Sequence, residues 1–90
     1  MIKHLDIKIS GYVQGVNFRW AAQAKAKSLH LAGFVKNQPD GSVYIEAEGL
    51  DGKLSEFLNW CRRGPDWSHV QTVDAREAGI KNFKQFNILY

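Results

Sequence analysis

The stretch GFVKNQPDGSVYIEAE, residues 33–48, decides the fold of this chain. Both of its ends predict strands, the second by a regular alternation of Val43, Ile45 and Ala47 with polar neighbours. The Pro-Asp-Gly sequence at residues 39–41 is a strong turn signal, because proline presets its φ angle and glycine tolerates a positive one. The stretch therefore predicts a β-hairpin.

Upstream of the hairpin, a strand and a helix are predicted. Leu5, Ile7 and Ile9 alternate with polar residues, which is typical of a half-buried strand. The loop GYVQGVN follows at residues 11–17. Apolar side chains then recur at helical spacing, at Phe18, Ala22, Ala26 and Leu29. Gly33 is expected to end this helix, since glycine is common just past a helix C-terminus.

Downstream of the hairpin, the sequence predicts a second helix followed by strands. Asp51 is expected to cap this helix, and Gly64-Pro65 to end it. Between them lies one apolar stripe with helical spacing, formed by Leu54, Phe57, Leu58 and Cys61. Residues 69–77 predict a weaker strand, and residues 86–88 leave room for a short additional one.

The resulting order is β-α-β-β-α-β, which is the ferredoxin-like arrangement. We therefore expect an α+β fold, an antiparallel sheet with two helices packed on one face. No repeat, linker or low-complexity segment interrupts the pattern, so residues 1–90 are expected to form a single domain. The hydrophobic share of 44% is sufficient for one packed core.

The composition excludes several classes of protein. Cys61 is the only cysteine, which rules out an internal disulfide and a thiolate-rich metal site. The N-terminal segment lacks the apolar run of a signal peptide, and no stretch is long enough to span a membrane, so a cytoplasmic location is expected. The net charge of +3 weakly suits an anionic ligand, but charge alone favours an ordinary solvated surface.

Topology predicts that two distant polar residues meet at one edge of the sheet. In a ferredoxin-like fold the first two strands run in the same direction with the third between them, about 10 Å apart. Arg19 at the start of the first helix and Asn37 at the end of the second strand therefore lie near each other. A helix N-terminus attracts phosphate, and a planar guanidinium suits phosphoryl oxygens. From the residues alone, an ordinary turn with a surface arginine remains the alternative.

Two motifs add to this interpretation. GYVQGVNFRW, residues 11–20, resembles the signature of the acylphosphatase family, Gly-x-Val-Gln-Gly-Val-x-Phe-Arg. GFVKNQPDGSVYIEAEG, residues 33–49, resembles the second signature of that family, Gly-x-Val-x-Asn-x-x-Asp-Gly-x-Val. Gly64-Pro65 and the terminal FKQFNILY are also similar to family features, so the resemblance covers nearly the whole chain. Ala21 departs from the pattern, since many relatives carry a larger side chain there.

The resemblance implies a function and a site. The family hydrolyses small acyl phosphates to carboxylate and inorganic phosphate. Two catalytic residues are implied, Arg19 to bind phosphate and Asn37 to orient the attacking water. The implied substrate-binding loop consists of Gln14, Gly15, Val16, Asn17, Phe18 and Arg19. Because the leaving group is a carboxylate, neither a general acid nor a metal is required, and no cofactor is expected. Inorganic phosphate is expected as product and inhibitor, and the protein as a monomer.

No catalytic or binding role is expected for the histidines, the cysteine and the tryptophans. His4, His30 and His69 are scattered without ligand spacing, so no metal site is expected. Cys61 is expected to be a small core residue. The three tryptophans are expected to serve packing rather than stacking, at Trp20, Trp60 and Trp67.

Two other functional classes stay open. RNA-binding modules share this fold, but they display aromatic residues on the central strands. Here only Tyr44 is aromatic among those positions, and Glu46 and Glu48 would repel phosphates. Acylphosphatase-like segments also occur inside larger carbamoyl-transfer proteins as non-catalytic domains. The length of 90 residues favours a free-standing enzyme. No nucleic-acid or membrane partner is expected.

Overall fold

A computed structural model describes residues 1–90. Its elements, in chain order, are β1 (Ile2–Tyr12), α1 (Phe18–Ser28), β2 (Ala32–Asn37), β3 (Val43–Leu50), α2 (Asp51–Arg63), β4 (His69–Ala78) and β5 (Phe86–Leu89). The strands form one sheet in the order β4-β1-β3-β2-β5. All neighbouring pairs are antiparallel except β2 and β5, which are parallel. The predicted ferredoxin-like fold is confirmed, with a short fifth strand added at one edge.

The core lies between the two helices and one face of the sheet. It contains 16 buried hydrophobic residues, drawn from both helices, from β1, β2, β3 and β5, and from the connecting loops. Phe57 of α2 is fully buried and contacts the rings of Trp60 and Phe86. Its truncation to alanine is expected to cost about 3–5 kcal/mol. The apolar stripe of each helix and one face of the sheet therefore form the core, as their periodicities indicate.

Two predicted helix boundaries are wrong. α1 ends at Ser28 and not at Gly33, because His30 takes the positive φ of 59° that turns the chain. Gly33 instead lies within β2, where a β-carbon would collide with the backbone carbonyl of Glu46. Asp51 is the first residue of α2 rather than its cap, and its carboxylate pairs with Lys3 at 3.3 Å.

The other boundaries shift by a few residues. β1 continues through Tyr12 into the predicted loop, past an irregularity of pairing between Ser10 and Gly11.

No helix of the chain is both long enough and apolar enough to cross a membrane.

Residues 79–85 form a crossing segment that covers part of the face without helices. The segment starts at β4 on one edge of the sheet and ends at β5 on the other. The backbone N–H groups of Lys81 and Phe83 donate to the carboxylate of Glu48, the second at 3.0 Å. The backbone N–H of Gly33 donates to Gln85 at 2.8 Å. The crossing segment thereby sets β5 beside β2.

Candidate active site

The loop between β1 and α1 leaves the helix N-terminus open. Gly15 and Asn17 both have left-handed backbones, with φ of 74° and 67°, which glycine and asparagine tolerate best. Asn17 precedes the helix, yet its side chain makes no capping hydrogen bond, and the first turn contains no acidic residue. The first N–H groups of α1 have no intrahelical acceptor. The local sequence therefore presents free donors and a positive dipole end to an anion.

Arg19 lies in this first turn with its positive charge free. Its side chain is half-buried and takes no part in the ion pairs of the protein. Its guanidinium carbon lies 4.8 Å from the centre of the Tyr90 ring. The planar donors of the guanidinium are therefore available to oxygens of a ligand.

Arg19 and Asn37 line the same cavity, as the topology predicts. Asn37 is half-buried at the last position of β2, opposite Val43 of β3. The cavity has a volume of about 420 Å³ and is lined by Val13, Gly15, Asn17, Phe18, Arg19, Trp20, Asn37, Ile88 and Tyr90. That volume lies in the usual range for small-molecule sites.

Four of the six residues of the predicted binding loop line this cavity, and Gln14 and Val16 do not. The side-chain amide of Gln14 donates to the backbone carbonyls of Gln38 at 2.8 Å and Ser42 at 2.9 Å. Val16 packs against the hydrophobic core. Gln14 therefore fastens the loop to the β2–β3 turn, which holds the two halves of the site together.

The β2–β3 turn is itself held by charged hydrogen bonds. Ser42 donates to Asp40 from its backbone N–H at 3.0 Å and from its hydroxyl at 2.6 Å. Lys8 pairs with the same carboxylate at 3.0 Å. These donors hold the pKa of Asp40 well below its usual range, so the turn carries a carboxylate at neutral pH.

Sequence reasoning missed the apolar side of the cavity, formed by Trp20, Ile88 and Tyr90. Trp20 and Trp67 are 61% and 85% exposed, so the expectation that they serve packing is wrong, whereas Trp60 packs against the core as expected. Trp20 follows Arg19 directly, and that adjacency was the available signal. Ile88 and Tyr90 reach the site through the parallel pairing of β5 with β2, which no local pattern reveals.

The phenol of Tyr90 is the only conventional proton-transfer group that lines the cavity. Arg19 is its only charged lining residue, and no carboxylate, imidazole or thiol is among the rest. Cys61 is fully buried on α2, and burial raises the pKa of its thiol far above the usual value.

A second group of ionisable residues lies on the other face, against the crossing segment. We call it the charge cluster: His4, Asp6, Glu46, Glu48 and Lys81. The fully buried His4 ring contacts Glu48 at 2.7 Å through Nδ1 and Asp6 at 2.9 Å through Nε2. The ammonium of Lys81 donates to Glu46 at 2.7 Å. Phe83 stacks on the His4 ring at a centroid distance of 5.8 Å.

Three members of the charge cluster have the chemistry of metal ligands. Single ligand atoms of His4, Asp6 and Glu46 lie within 4.8 Å of one another, although the histidines show no ligand spacing in the sequence. The ring nitrogen Nε2 is 2.9 Å from Asp6 and 3.2 Å from Glu46, which are hydrogen-bond and ion-pair distances. Because no buried side-chain nitrogen or oxygen lacks a hydrogen-bond partner, we interpret the group as a satisfied ion-pair network.

Comparison with known proteins gives one consistent result. The family model for acylphosphatase matches residues 5–88. An acylphosphatase of Archaeoglobus fulgidus is 42% identical over 86 residues, covering 96% of this chain and 97% of the relative.

The similar solved structures include an acylphosphatase and a much longer protein that contains a similar domain. The crystal structure of acylphosphatase from Bacillus subtilis superposes with a TM-score of 0.95 at 36% identity, covering all of both chains. Full-length HypF, in a phosphate- and nucleotide-bound form, matches with a TM-score of 0.90 at 30% identity, but only over 12% of its length. Fold, motifs and sequence identity over nearly the whole chain agree, and the chain therefore belongs to the acylphosphatase family.

Proposed function

We propose that the chain hydrolyses the carboxyl-phosphate bond of small acyl phosphates by direct attack of water, with Arg19 binding the phosphoryl group and Asn37 orienting the water. Acylphosphatase activity follows from family membership. The residue roles, the mechanism and the class of small substrates are our proposal. The observation that carries it is that Arg19 and Asn37, which are distant in sequence, line one cavity beside an uncapped helix N-terminus.

Charge complementarity supports the role of Arg19. A phosphoryl group brings negative charge to a cavity with one cation, free helical N–H groups and no lining carboxylate. A guanidinium is permanently charged and forms two parallel hydrogen bonds to phosphoryl oxygens. Donors fixed before the reaction stabilise charge in the transition state without reorganisation.

The chemistry of the leaving group supports a site without acid or metal ligand. Water attacks phosphorus, the bond from phosphorus to the bridging oxygen breaks, and the carboxylate leaves with the bonding electrons. A carboxylate is stable as an anion at neutral pH, so it needs no proton from the protein. The amide of Asn37 accepts a hydrogen bond from the water through its oxygen. The phosphoryl oxygens take up the proton of the attacking water.

The alternative functions have less support. The face on which an RNA-binding module presents aromatic rings carries the buried residues His4, Glu46 and Glu48, with Phe83 stacked over His4. The similarity to HypF keeps the idea of a domain within a larger protein open to test. We propose instead that residues 1–90 act as one monomeric domain in the cytoplasm. The match to an acylphosphatase over 97% of that relative's length supports a single domain.

Release of inorganic phosphate from acetyl phosphate and benzoyl phosphate tests the proposal. We expect turnover that a chelator does not change. A parallel titration with a short RNA is expected to show no saturable binding. A folded chain that releases no phosphate from either substrate would contradict the proposal, and tight RNA binding would favour the alternative class.

A further inference from the structure

We propose that the apolar side of the cavity binds the acyl group, and that Trp20 makes the enzyme select apolar, planar acyl groups over the acetyl group. This inference rests on the proposed function, because it assigns the part of the cavity that the phosphoryl group leaves free. The side consists of Trp20, Ile88 and Tyr90.

The cavity is divided by chemistry into two sides. Gly15, Asn17, Arg19 and Asn37 form a polar side that suits a small anion. The remaining exposed surface is apolar, because Val13 and Phe18 belong to the buried core. A substrate bound through its phosphoryl group to Arg19 therefore directs its acyl group toward carbon-rich surface.

The size of the cavity exceeds what the smallest acyl phosphate needs. Its volume of about 420 Å³ falls within the range of roughly 300–1,000 Å³ that is typical for sites binding larger organic ligands. An acetyl group has two carbon atoms and contacts little of the apolar side. An aromatic acyl group fills more of the space and removes more apolar surface from water.

Trp20 has no packing role that explains it. The neighbouring helical residues Phe18 and Ala22 are buried, whereas Trp20 is 61% exposed at the rim of the cavity. Its indole contacts none of the aromatic clusters that surround Trp60. A large, rigid and mostly exposed aromatic surface without an aromatic partner favours stacking against a planar ligand.

Tyr90 and Ile88 complete the same surface from a distant part of the chain. Ile88 is half-buried and packs against the core, so it provides a fixed floor. Tyr90 is 97% exposed, and the centre of its ring lies 4.8 Å from the guanidinium carbon of Arg19. An aromatic acyl group beside a phosphoryl group on Arg19 therefore has apolar surface on more than one side.

The test compares kcat/KM for benzoyl phosphate and acetyl phosphate in the wild type, Trp20→Ala and Trp20→Phe. We expect the wild type to prefer benzoyl phosphate. Trp20→Ala is expected to lower kcat/KM for benzoyl phosphate about tenfold and to leave acetyl phosphate within about twofold, since one ring contact is lost. Trp20→Phe keeps a ring and is expected to restore most of the preference. The intrinsic reactivities of the two substrates cancel when variants are compared.

Trp67→Ala provides the matched control. Trp67 is 85% exposed in the turn after α2 and does not line the cavity, so neither substrate is expected to respond. Equal losses for both substrates in Trp20→Ala, or an unchanged preference, would overturn the inference while leaving the proposed function intact. A wild type that hydrolyses neither substrate would overturn both.

Discussion

The guanidinium carbon of Arg19 lies 4.8 Å from the centre of the Tyr90 ring. A cation over a ring face is attracted to its electron density, and an exposed contact of this kind contributes about 0.5–1 kcal/mol. Tyr90 is 97% exposed, so the contact is of this weak kind. The ring face competes less for the N–H donors of the arginine than a carboxylate would, so these donors stay available to a substrate.

Arg19→Lys is expected to lower kcat/KM by about 10³-fold or more with little change in the free energy of unfolding. Lysine keeps the charge but loses the planar pair of donors that matches phosphoryl oxygens. Turnover of an acyl phosphate and thermal unfolding measure the two effects. Arg63→Lys, at the exposed end of α2, is the control and is expected to stay active. Wild-type turnover in Arg19→Lys would rule out the phosphate role.

Asn37→Ala is expected to lower kcat about 10²-fold with a small effect on KM. The amide is assigned to the attacking water, and losing a group that acts only in the transition state changes kcat. Steady-state kinetics on benzoyl phosphate separate the two constants. Asn59→Ala, on the exposed side of α2, is the matched control. An effect confined to KM would reassign Asn37 to substrate binding.

Inorganic phosphate is expected to inhibit competitively and to raise the unfolding temperature. A ligand that binds only the folded state at about ten times its Kd adds about 1.4 kcal/mol to the free energy of unfolding. Arg19→Ala is expected to lose this stabilisation, whereas Arg63→Ala is expected to keep it. Equal stabilisation of both variants by phosphate would place the anion away from the cavity.

Cys61→Ala, His4→Ala, His30→Ala and His69→Ala are expected to retain most of their kcat/KM, with or without a chelator. None of these residues lines the cavity, and the Cys61 thiol is buried with a raised pKa. His4→Ala is expected to lose stability, so activities are compared on the folded fraction. A loss of a general acid or base usually costs roughly 10²–10⁴-fold. A thousandfold loss in a folded variant would reveal a catalytic group and contradict the water-only mechanism.

The charge cluster is expected to lower the free energy of unfolding both as the pH falls and as it rises. Burial raises the pKa of Glu48, but hydrogen bonds from Lys81, His4 and Phe83 outweigh it and lower the pKa below 4.5. The contribution of Glu48 is therefore present above pH 4.5 and lost as the pH falls through its folded-state pKa.

The contribution of His4 to the free energy of unfolding depends on pH in the opposite direction. Burial lowers its pKa, but hydrogen bonds to Glu48 and Asp6 and the charges of Asp6 and Glu46 outweigh it and raise the pKa above 6.5. Its contribution is therefore complete below pH 6.5 and lost as the pH rises through its folded-state pKa. The two groups together define a plateau of stability between pH 4.5 and 6.5.

The variant His4→Gln tests how much of this pH dependence comes from His4. Urea denaturation is expected to show a loss of about 3 kcal/mol near about pH 6, because buried carboxylates lose their charged partner. The difference from the wild type is expected to shrink as the pH rises above 6.5, since the wild-type imidazolium is then lost as well. His69→Gln is the control, because His69 is exposed and its backbone has no positive φ. A constant difference at every pH would show that His4 acts through packing alone.

Local patterns predicted the features that short segments determine. The hairpin around residues 39–41 and both helical stripes follow from turn chemistry and periodicity. Topology predicted that Arg19 and Asn37 lie near each other, and the family resemblance singled them out as site residues. The errors at Gly33 and Asp51 arise where a residue type has two uses. Glycine ends helices but also permits close strand approach, and aspartate caps helices but also favours their first turn.

Contacts between distant segments could not be predicted from the sequence, for a different reason. The crossing segment lacks regular structure, so nothing in it signals that its N–H groups bind Glu48. That contact places β5 beside β2, and β5 carries Ile88 into the cavity. The charge cluster and the apolar side of the cavity both depend on this crossing.

The pairing of Gly33 with Phe86 in adjacent parallel strands has a kinetic consequence. Parallel pairing between distant segments closes a long loop before it gains contacts, which slows folding relative to helical domains of similar size. Ile88 lies in β5 and Tyr90 follows it, so the apolar side of the cavity is complete only after β5 has paired with β2. Selectivity among acyl groups is therefore expected to recover with this long-range pairing and not before it.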